Sequence, residues 1–200
     1  MSSASTTPKS VPDLVLASSS PRRRDLLAQI GVIPSRIQPP EIDESPRDGE
    51  LPRVYAERMA VEKARAVDRG TNEVVLAGDT TVAAGRRIFP QADDAAEVAR
   101  FLRILSGRRH KVFAALAVID RDGSLRARVV PSQVRFKRLS AEEIADYAAS
   151  GEGIGKAAGY AIQGQAAGLI DWMQGSYTGV VGLPLYEARS LLKAAGLKIG

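Results

Sequence analysis

The sequence contains no cysteine and only one histidine, His110. Without cysteine there can be no disulfides, thiolate zinc sites or cysteine nucleophiles, and one histidine excludes a multi-histidine metal site. A serine–histidine–aspartate triad would depend on His110 alone, and no G-x-S-x-G motif accompanies it. Beside Arg108 and Arg109, this histidine is predicted to be a solvated turn residue. The remaining chemistry belongs to carboxylates, lysine and arginine, for which a hard ion such as Mg²⁺ is the natural metal.

Long apolar runs are also missing: none approaches the roughly 20 residues that a membrane span needs. Residues 1–10 have no apolar core for a signal peptide and are predicted to be a disordered tail. The rest, residues 11–200, is predicted to be one domain, because no repeat or linker divides it. With 44% hydrophobic and 26% charged residues, the composition is that of a soluble globular protein, and we expect it in the cytoplasm.

The net charge of +5 would suit nucleic acid or a small polyanion. The arginines are scattered along the chain, however, and no nucleic-acid recognition motif is present. A nucleic-acid binder therefore stays only as a minor alternative that rests on charge alone, and no nucleic-acid partner is expected.

The apolar pattern predicts a mixed α/β fold. A short buried strand at residues 13–17 is followed by a polar turn, and the first helix starts at Pro21, with Ser20 as its N-cap. Later segments give the following elements: helices at 51–69, 95–105, 141–149 and 184–195, a strand at 74–82, a hairpin of strands at 112–119 and 125–136, and short strands near 169–173 and 180–181.

Three successive arginines, residues 22–24, begin the first predicted helix. Cations oppose the partial positive charge at a helix N-terminus, and a bound polyanion would resolve the conflict. Successive helical residues point about 100° apart, so we expect only Arg22 and Arg23 to face one ligand. The hydroxyls of Ser18 and Ser20 can donate to the same phosphate oxygens. A solvated basic helix face is the alternative that the pattern leaves open.

Asp79 interrupts an otherwise apolar predicted strand. A buried carboxylate is costly unless it is paired or bound to a metal, so Asp79 is either structurally paired or a site residue. Together with Glu44 and Lys63 it would be able to hold a divalent ion, a water and a phosphate oxygen. Taken singly, Glu44 and Lys63 are equally well explained as surface charges.

The glycine-rich stretch 151–168 imitates known nucleotide-binding motifs without matching them. Its P-loop-like segment has one residue too few between Gly151 and Gly155, and Ala157 stands where serine or threonine would hold magnesium. A match to G-x-G-x-x-A follows a predicted helix instead of a strand. A loop that closes over a ligand is the favoured interpretation, and a plain surface loop is the alternative.

Four blocks of sequence, in a fixed order, resemble the Maf family, also called septum-formation-inhibitor-like proteins. They are LASSSPRRR at 16–24 with LL at 26–27, IDE at 42–44 with EKA at 62–64, AGDT at 77–80 with LSG at 105–107, and AIQG at 161–164 with VVGLP at 180–184. The resemblance implies an α/β fold with an elongated mixed sheet flanked by helices and two lobes around a central cleft. It also implies hydrolysis of a nucleoside triphosphate to the monophosphate and pyrophosphate, with Mg²⁺ or Mn²⁺.

The same resemblance implies residue roles. Asp79 matches the proton acceptor of the family, and it is expected to bind the metal together with Glu44. Three residues match the dTTP/UTP branch of the family instead of the 7-methyl-GTP branch, and a glutamine amide can both accept from N3–H and donate to O4 of uracil or thymine. The expected catalytic residues are Asp79, Lys63, Glu44 and Arg23, and the expected substrate-binding residues are Ser18, Ser20, Arg22, Thr80, Gln163 and Lys156, of which Arg22, Thr80 and Gln163 mark the branch.

Two departures from the family pattern bear on activity. Gln91 stands where members usually have lysine, so one phosphate contact is lost or supplied elsewhere. Gly155 stands where many have aspartate. Gln91 is the best support for an alternative function, a nucleotide-sensing regulator of cell division with little turnover. A homodimer is a further expectation.

Overall fold

The computed structural model describes residues 11–200, so the predicted tail at 1–10 lies outside it. Strands and helices alternate in the first half of the chain and hairpins dominate the second. The strands are β1 (Asp13–Ala17), β2 (Arg36–Ile37), β3 (Glu73–Ala84), β4 (Arg87–Phe89), β5 (Arg109–Ile119), β6 (Leu125–Phe136) and β7 (Ile170–Gln174). The helices are α1 (Pro21–Gln29), α2 (Pro52–Arg65), α3 (Ala95–Leu105), α4 (Ala141–Ala149), α5 (Tyr177–Val181) and α6 (Leu185–Ala194), with a 3₁₀ helix at Gln165–Leu169.

The seven strands form one mixed sheet in the order β2-β1-β3-β5-β6-β7, with β4 paired to β3. β1 runs parallel to β2 and β3, whereas the pairs from β3 to β7 are antiparallel. Helices cover both faces over much of this sheet. The predicted mixed α/β fold is therefore confirmed, including the hairpin of β5 and β6.

Strand β3 has an open edge in its middle. β1 ends at Ala17, which pairs with Ala77, and β4 pairs with β3 only from Val82 onwards. Within the described part of the chain, residues 78–81 have a strand neighbour, β5, on one side only. The turn that follows β1 therefore lies beside an uncovered stretch of β3, and groups from both faces of the sheet can meet there.

Two cores lie on one face of the sheet and leave a cleft between them. Side chains alternate between faces along a strand, and β5 places Val112 in the core with α3 and α4 and Leu116 in the core with α1 and α6. A third core, on the opposite face, contains Phe113 of β5 and Ala60 of α2. These two neighbouring cores on one face are the lobes of the expected two-lobed architecture.

Two local predictions were wrong. Residues 180–181 belong to helix α5 instead of a strand, because the Ser176 hydroxyl accepts from the Gly179 N–H and caps a short helix there. His110 is not a solvated turn residue: it lies in β5, is 2% exposed, and its Nε2 is 2.8 Å from the Tyr160 hydroxyl. Separately, no helix between residues 11 and 200 combines the length and the apolarity that crossing a bilayer requires.

The burial of His110 predicts a pH-dependent stability. Burial lowers its pKa to about 4, whereas the unfolded chain has the ordinary value of about 6.5. Between these values the unfolded state binds more protons, so stability falls as the pH falls from 6.5 to 4. Urea unfolding is expected to show about 3 kcal/mol more loss across this window in the wild type than in His110→Gln. Parallel curves for the two proteins would contradict this prediction.

Candidate active site

The cleft between the two lobes has a volume of about 660 Å³. It is bounded by the turn after β1, by the open edge of β3, by α5 and by the glycine-rich loop. Its walls include predicted site residues: Ser18, Ser20, Arg22, Arg23, Asp79, Thr80, Lys156 and Gln163. The two other predicted residues, Glu44 and Lys63, do not line the cleft. Lys63 contacts Asp79 directly, and Glu44 is linked to Asp79 through Lys63.

Lys63 joins the two predicted metal-binding carboxylates. Its Nζ donates to Oδ1 of Asp79 at 2.9 Å and to Oε2 of Glu44 at 2.7 Å. The Thr81 hydroxyl donates to the other oxygen of Asp79 at 2.7 Å. Asp79 and Lys63 are both buried, so Asp79 is paired and at the same time reaches the cleft. The carboxylates converge on one cationic nitrogen, and they are hard oxygen donors of the kind that bind Mg²⁺.

Alternation along β3 separates the acidic group from the basic one. Asp79 points to the face that packs on α2, where Lys63 lies, whereas Thr80 points to the face that carries Arg23. The two groups meet because this part of β3 has no neighbour on its outer edge. A ligand at that edge can therefore contact the arginines and the carboxylates together.

Arg23 is fixed by three acceptors. Nε donates to the Gly182 carbonyl at 2.9 Å, Nη1 to the Ser18 hydroxyl at 2.8 Å and Nη2 to the Thr80 hydroxyl at 3.4 Å. Burial lowers the pKa of Arg23, and the charge of Asp79 opposes that change. Ser18 and Thr80 therefore hold the guanidinium in place within the cleft wall, in addition to any contact that they make with a ligand.

Gly78 provides the space that Arg23 occupies. A Cβ at this position would lie 3.1 Å from Nε of Arg23 and 3.3 Å from the Ala115 carbonyl oxygen. Arg23 is a predicted catalytic residue, so we expect Gly78→Ala to displace its guanidinium and to lower kcat/KM by about 10- to 100-fold, because small misplacements of a catalytic group are costly. Steady-state pyrophosphate release measures this. The matched control is Gly168→Ala, whose Cβ would have no neighbour within 4 Å; equal activity of both variants would contradict the role of Gly78.

Arg22 and Lys156 bring further positive charge to the cleft from opposite walls. Nε of Arg22 is buried and has no hydrogen-bond partner among residues 11–200, and burial lowers its pKa. Burial also lowers the pKa of Lys156, and the charge of Arg22 lowers it further. Half-buried cations that repel one another are stabilised by an anion between them.

Comparison with known proteins assigns the chain to a family. The family model described as Maf-like protein matches residues 13–195. The chain belongs to the Maf family. It is 56% identical over 190 residues to a protein named dTTP/UTP pyrophosphatase from Sphingopyxis alaskensis. The match covers 95% of this chain and 100% of that protein. It is 59% identical over 186 residues to a protein of the same name from Cereibacter sphaeroides, with 93% and 96% covered.

A solved structure supports the fold of this Maf-family chain. A HAM1 protein from Coxiella burnetii superposes with a TM-score of 0.51 at 15% identity, and the match covers 92% of this chain and 100% of that one. At this level of identity the likeness concerns the fold alone.

The departures from the Maf pattern both lie on the glycine-rich side of the cleft. Gln91 lines the cleft and forms an isolated bridge with Ala157, beside Lys156. Gly155 is exposed at φ +69°, a left-handed conformation that favours glycine. Gln163 is exposed and lines the same cleft. Lys156 lies beside Gln91, because the N–H of the next residue, Ala92, donates to the Lys156 carbonyl at 3.1 Å.

The sequence interpretation missed the residues that hold the loop carrying Glu44. The Tyr55 hydroxyl donates to the Glu44 carbonyl at 2.8 Å, and Arg58 donates to the Ser45 carbonyl at 3.1 Å. Arg58 also binds both oxygens of Glu50 at 2.7 Å and lowers the pKa of Glu50 to about 2. Tyr55 and Arg58 lie on α2, and nothing in their spacing indicates that they reach a loop with no regular structure.

The glycine-rich loop has an anchor that was also missed. One carboxylate oxygen of Glu152 accepts from the Tyr147 hydroxyl at 2.9 Å, and the other accepts from the Gln165 N–H at 2.8 Å. A Cβ on Gly164 would lie 2.2 Å from Glu152 Oε2. The glycine therefore lets the carboxylate approach the start of the 3₁₀ helix, and this fixes the segment that carries Gln163.

Proposed function

We propose that this chain is a nucleoside triphosphate pyrophosphatase that hydrolyses dTTP and UTP to the monophosphate and pyrophosphate. The observation that carries the proposal is the open edge of β3, where the buried carboxylate of Asp79 adjoins a cleft lined by the half-buried cations Arg22, Arg23 and Lys156. The relatives named dTTP/UTP pyrophosphatase support it, since they match almost the full chain.

Asp79 is proposed to accept a proton from a water molecule. The oxygen of that water attacks the α-phosphorus, and the bond from the α-phosphorus to the bridging oxygen breaks, so that pyrophosphate leaves with the electron pair. Lys63 and Thr81 hold the carboxylate by its two oxygens. The guanidinium groups of Arg22 and Arg23 neutralise the phosphate chain, together with Lys156 and the hydroxyls of Ser18 and Ser20.

Glu44 and Asp79 are proposed to hold a divalent ion, Mg²⁺ or Mn²⁺. No group of three or more histidine and acidic side chains between residues 11 and 200 is arranged for a metal. Mg²⁺ usually takes one or two carboxylates and completes its shell with waters and substrate phosphates, and the convergent oxygens of Glu44 and Asp79 fit that pattern. When bound, the ion would supply charge neutralisation and polarisation at the phosphate oxygens.

Selectivity for pyrimidines is proposed to involve Gln163, Thr80 and Arg22. The Gln163 amide is exposed in the cleft and can pair with both N3–H and O4 of thymine or uracil. Adenine and cytosine do not offer this pair, because they carry a ring acceptor beside an amino donor. A cytoplasmic location, a homodimeric state and the absence of a nucleic-acid partner stay predictions.

Assays of the purified protein test the proposed activity. Pyrophosphate release is measured with Mg²⁺ and a panel of nucleoside triphosphates that includes methylated bases. dTTP and UTP are expected to give the highest kcat/KM. Tight dTTP binding without pyrophosphate release would favour the alternative of a nucleotide-sensing regulator and would contradict the enzymatic proposal.

A further inference from the structure

A second concave surface lies at the far end of the sheet from the cleft. It has a volume of about 530 Å³ and is called the sheet-end pocket; the polar side chains that line it are Ser106, Arg108, Arg135, Lys137, Arg138 and Asp171. It shares no lining residue with the cleft. Arg109, next to the pocket, lies roughly 20 Å along β5 from Ala115, the partner of Asp79, at about 3.4 Å per residue.

The sheet-end pocket carries an excess of positive charge. Arg135 pairs with Asp171 at 2.7 Å, and Lys137 pairs with Glu143. Arg108 and Arg138 are both exposed, and neither forms an ion pair or hydrogen bond through its side chain within the described chain. The carboxylates therefore balance two of the cations of the pocket and leave two guanidinium groups free.

Residues that lie side by side on β5, β6 and β7, next to the pocket, add to this charge. Arg109 is directly opposite Arg135, which is directly opposite Trp172, and the Arg109 guanidinium lies over the Trp172 ring at 4.3 Å. Like charges directly opposite one another across two strands are destabilising. Asp171 offsets this repulsion on the Arg135 side, and an anion beside Arg109 would reduce it further. A local rule broken in this way is typical of a functional surface.

We propose that the sheet-end pocket binds the diphosphate or triphosphate group of a small molecule. A guanidinium binds phosphate oxygens in a bidentate manner, so Arg108 and Arg138 suit two linked phosphoryl groups. The Ser106 oxygen already accepts from the Leu139 N–H at 2.8 Å, and its hydroxyl hydrogen is left to donate to the same ligand. The carboxylate of Asp171 interrupts the positive surface, and this favours a small ligand over nucleic acid, which binds along an extended basic patch or stripe.

Isothermal titration with pyrophosphate, without added metal and at low salt, tests the proposal. The wild type is expected to bind at two sites, the cleft and the sheet-end pocket. Arg108→Gln/Arg138→Gln is expected to weaken pyrophosphate binding at the sheet-end pocket at least about tenfold and to leave binding at the cleft unchanged. Arg22→Gln/Lys156→Gln should instead remove binding at the cleft. The site is measured by binding, so its failure is distinct from a failure of the proposed activity.

A charge-matched control separates a specific site from a general electrostatic effect. Arg53→Gln/Arg103→Gln removes the same charge from exposed positions outside both cavities and is expected to retain both sites. An Arg108→Gln/Arg138→Gln variant that binds pyrophosphate with the same number of sites and the same affinities as the wild type would overturn the proposal. So would equal weakening by the control and by Arg108→Gln/Arg138→Gln.

Trp172 gives a second, local measurement, because it is the sole tryptophan. Its emission is expected to respond to pyrophosphate in the wild type and in the cleft variant, but not in Arg108→Gln/Arg138→Gln. Titration with a non-hydrolysable dTTP analogue then separates the two sources of the group: tighter binding than pyrophosphate identifies a nucleotide, and weaker binding identifies free pyrophosphate. If a single-stranded oligonucleotide saturates the response at concentrations where pyrophosphate gives none, the pocket is a nucleic-acid surface and the proposal fails.

Discussion

Asp79→Asn is expected to lower kcat for pyrophosphate release from dTTP by about 1,000-fold or more. The amide cannot accept a proton from water, and loss of a general base alone costs about 100- to 10,000-fold. Loss of a metal-binding carboxylate adds to this effect. The substitution keeps the size of the side chain, and an amide oxygen can still accept from Lys63 or Thr81, which hold the carboxylate in the wild type. The variant is therefore expected to fold and to bind substrate.

The matched control for this prediction is Asp146→Asn, which makes the same change at an exposed position on α4. Its kcat should equal that of the wild type. The affinity of Asp79→Asn for dTTP, measured by calorimetry, should stay within about tenfold of the wild-type value, since the arginines that we propose to bind the phosphates are intact. A kcat within a few-fold of wild type would contradict the assignment of Asp79 as the proton acceptor.

Two departures from simple sequence rules predicted the acidic and the basic groups of this site. Asp79 is a carboxylate in an apolar strand, and Arg22 and Arg23 are cations at the wrong end of a helix. Each breach is visible from local pattern, because burial and helix polarity depend on neighbours in the chain. Their meeting at one place depends instead on where β1 stops and β4 begins along β3, and strand ends are poorly defined by pattern.

The contacts that hold the loops of Glu44 and Gln163 could not be predicted from the sequence, for a different reason. Arg58 holds the loop of Glu44 through Glu50, and Glu152 holds the loop of Gln163; each contact crosses between a helix or turn and a segment without regular structure. Periodicity carries no information about such segments. The burial of His110 was not predicted because the two preceding arginines suggested a turn, whereas alternation along β5 places Arg109 and Lys111 outside and His110 inside.

Lys63→Met is expected to lower the stability of the protein and to make that stability respond to divalent metal. The substitution leaves Asp79 buried beside Glu44 without the ammonium group that both contact. Removing one partner of a buried ion pair costs about 3–5 kcal/mol, and the lower end applies because the Glu44 side chain is 48% exposed. For a chain of this size, a loss of about 3 kcal/mol corresponds to a fall in Tm of roughly 6–12 °C.

Addition of Mg²⁺ or Mn²⁺ is expected to restore much of this loss, because a ligand that binds only the folded state at 100 times its Kd stabilises it by about 2.7 kcal/mol. Thermal unfolding with and without metal measures the effect. In the control Lys63→Met/Asp79→Asn the unpaired buried charge is gone, so we expect a smaller loss of stability and a weaker metal response. A Tm of Lys63→Met that equals the wild-type value and ignores the metal would contradict the proposed cation site. Because the assay follows unfolding, it tests the role of Glu44 and Asp79 as metal ligands independently of turnover.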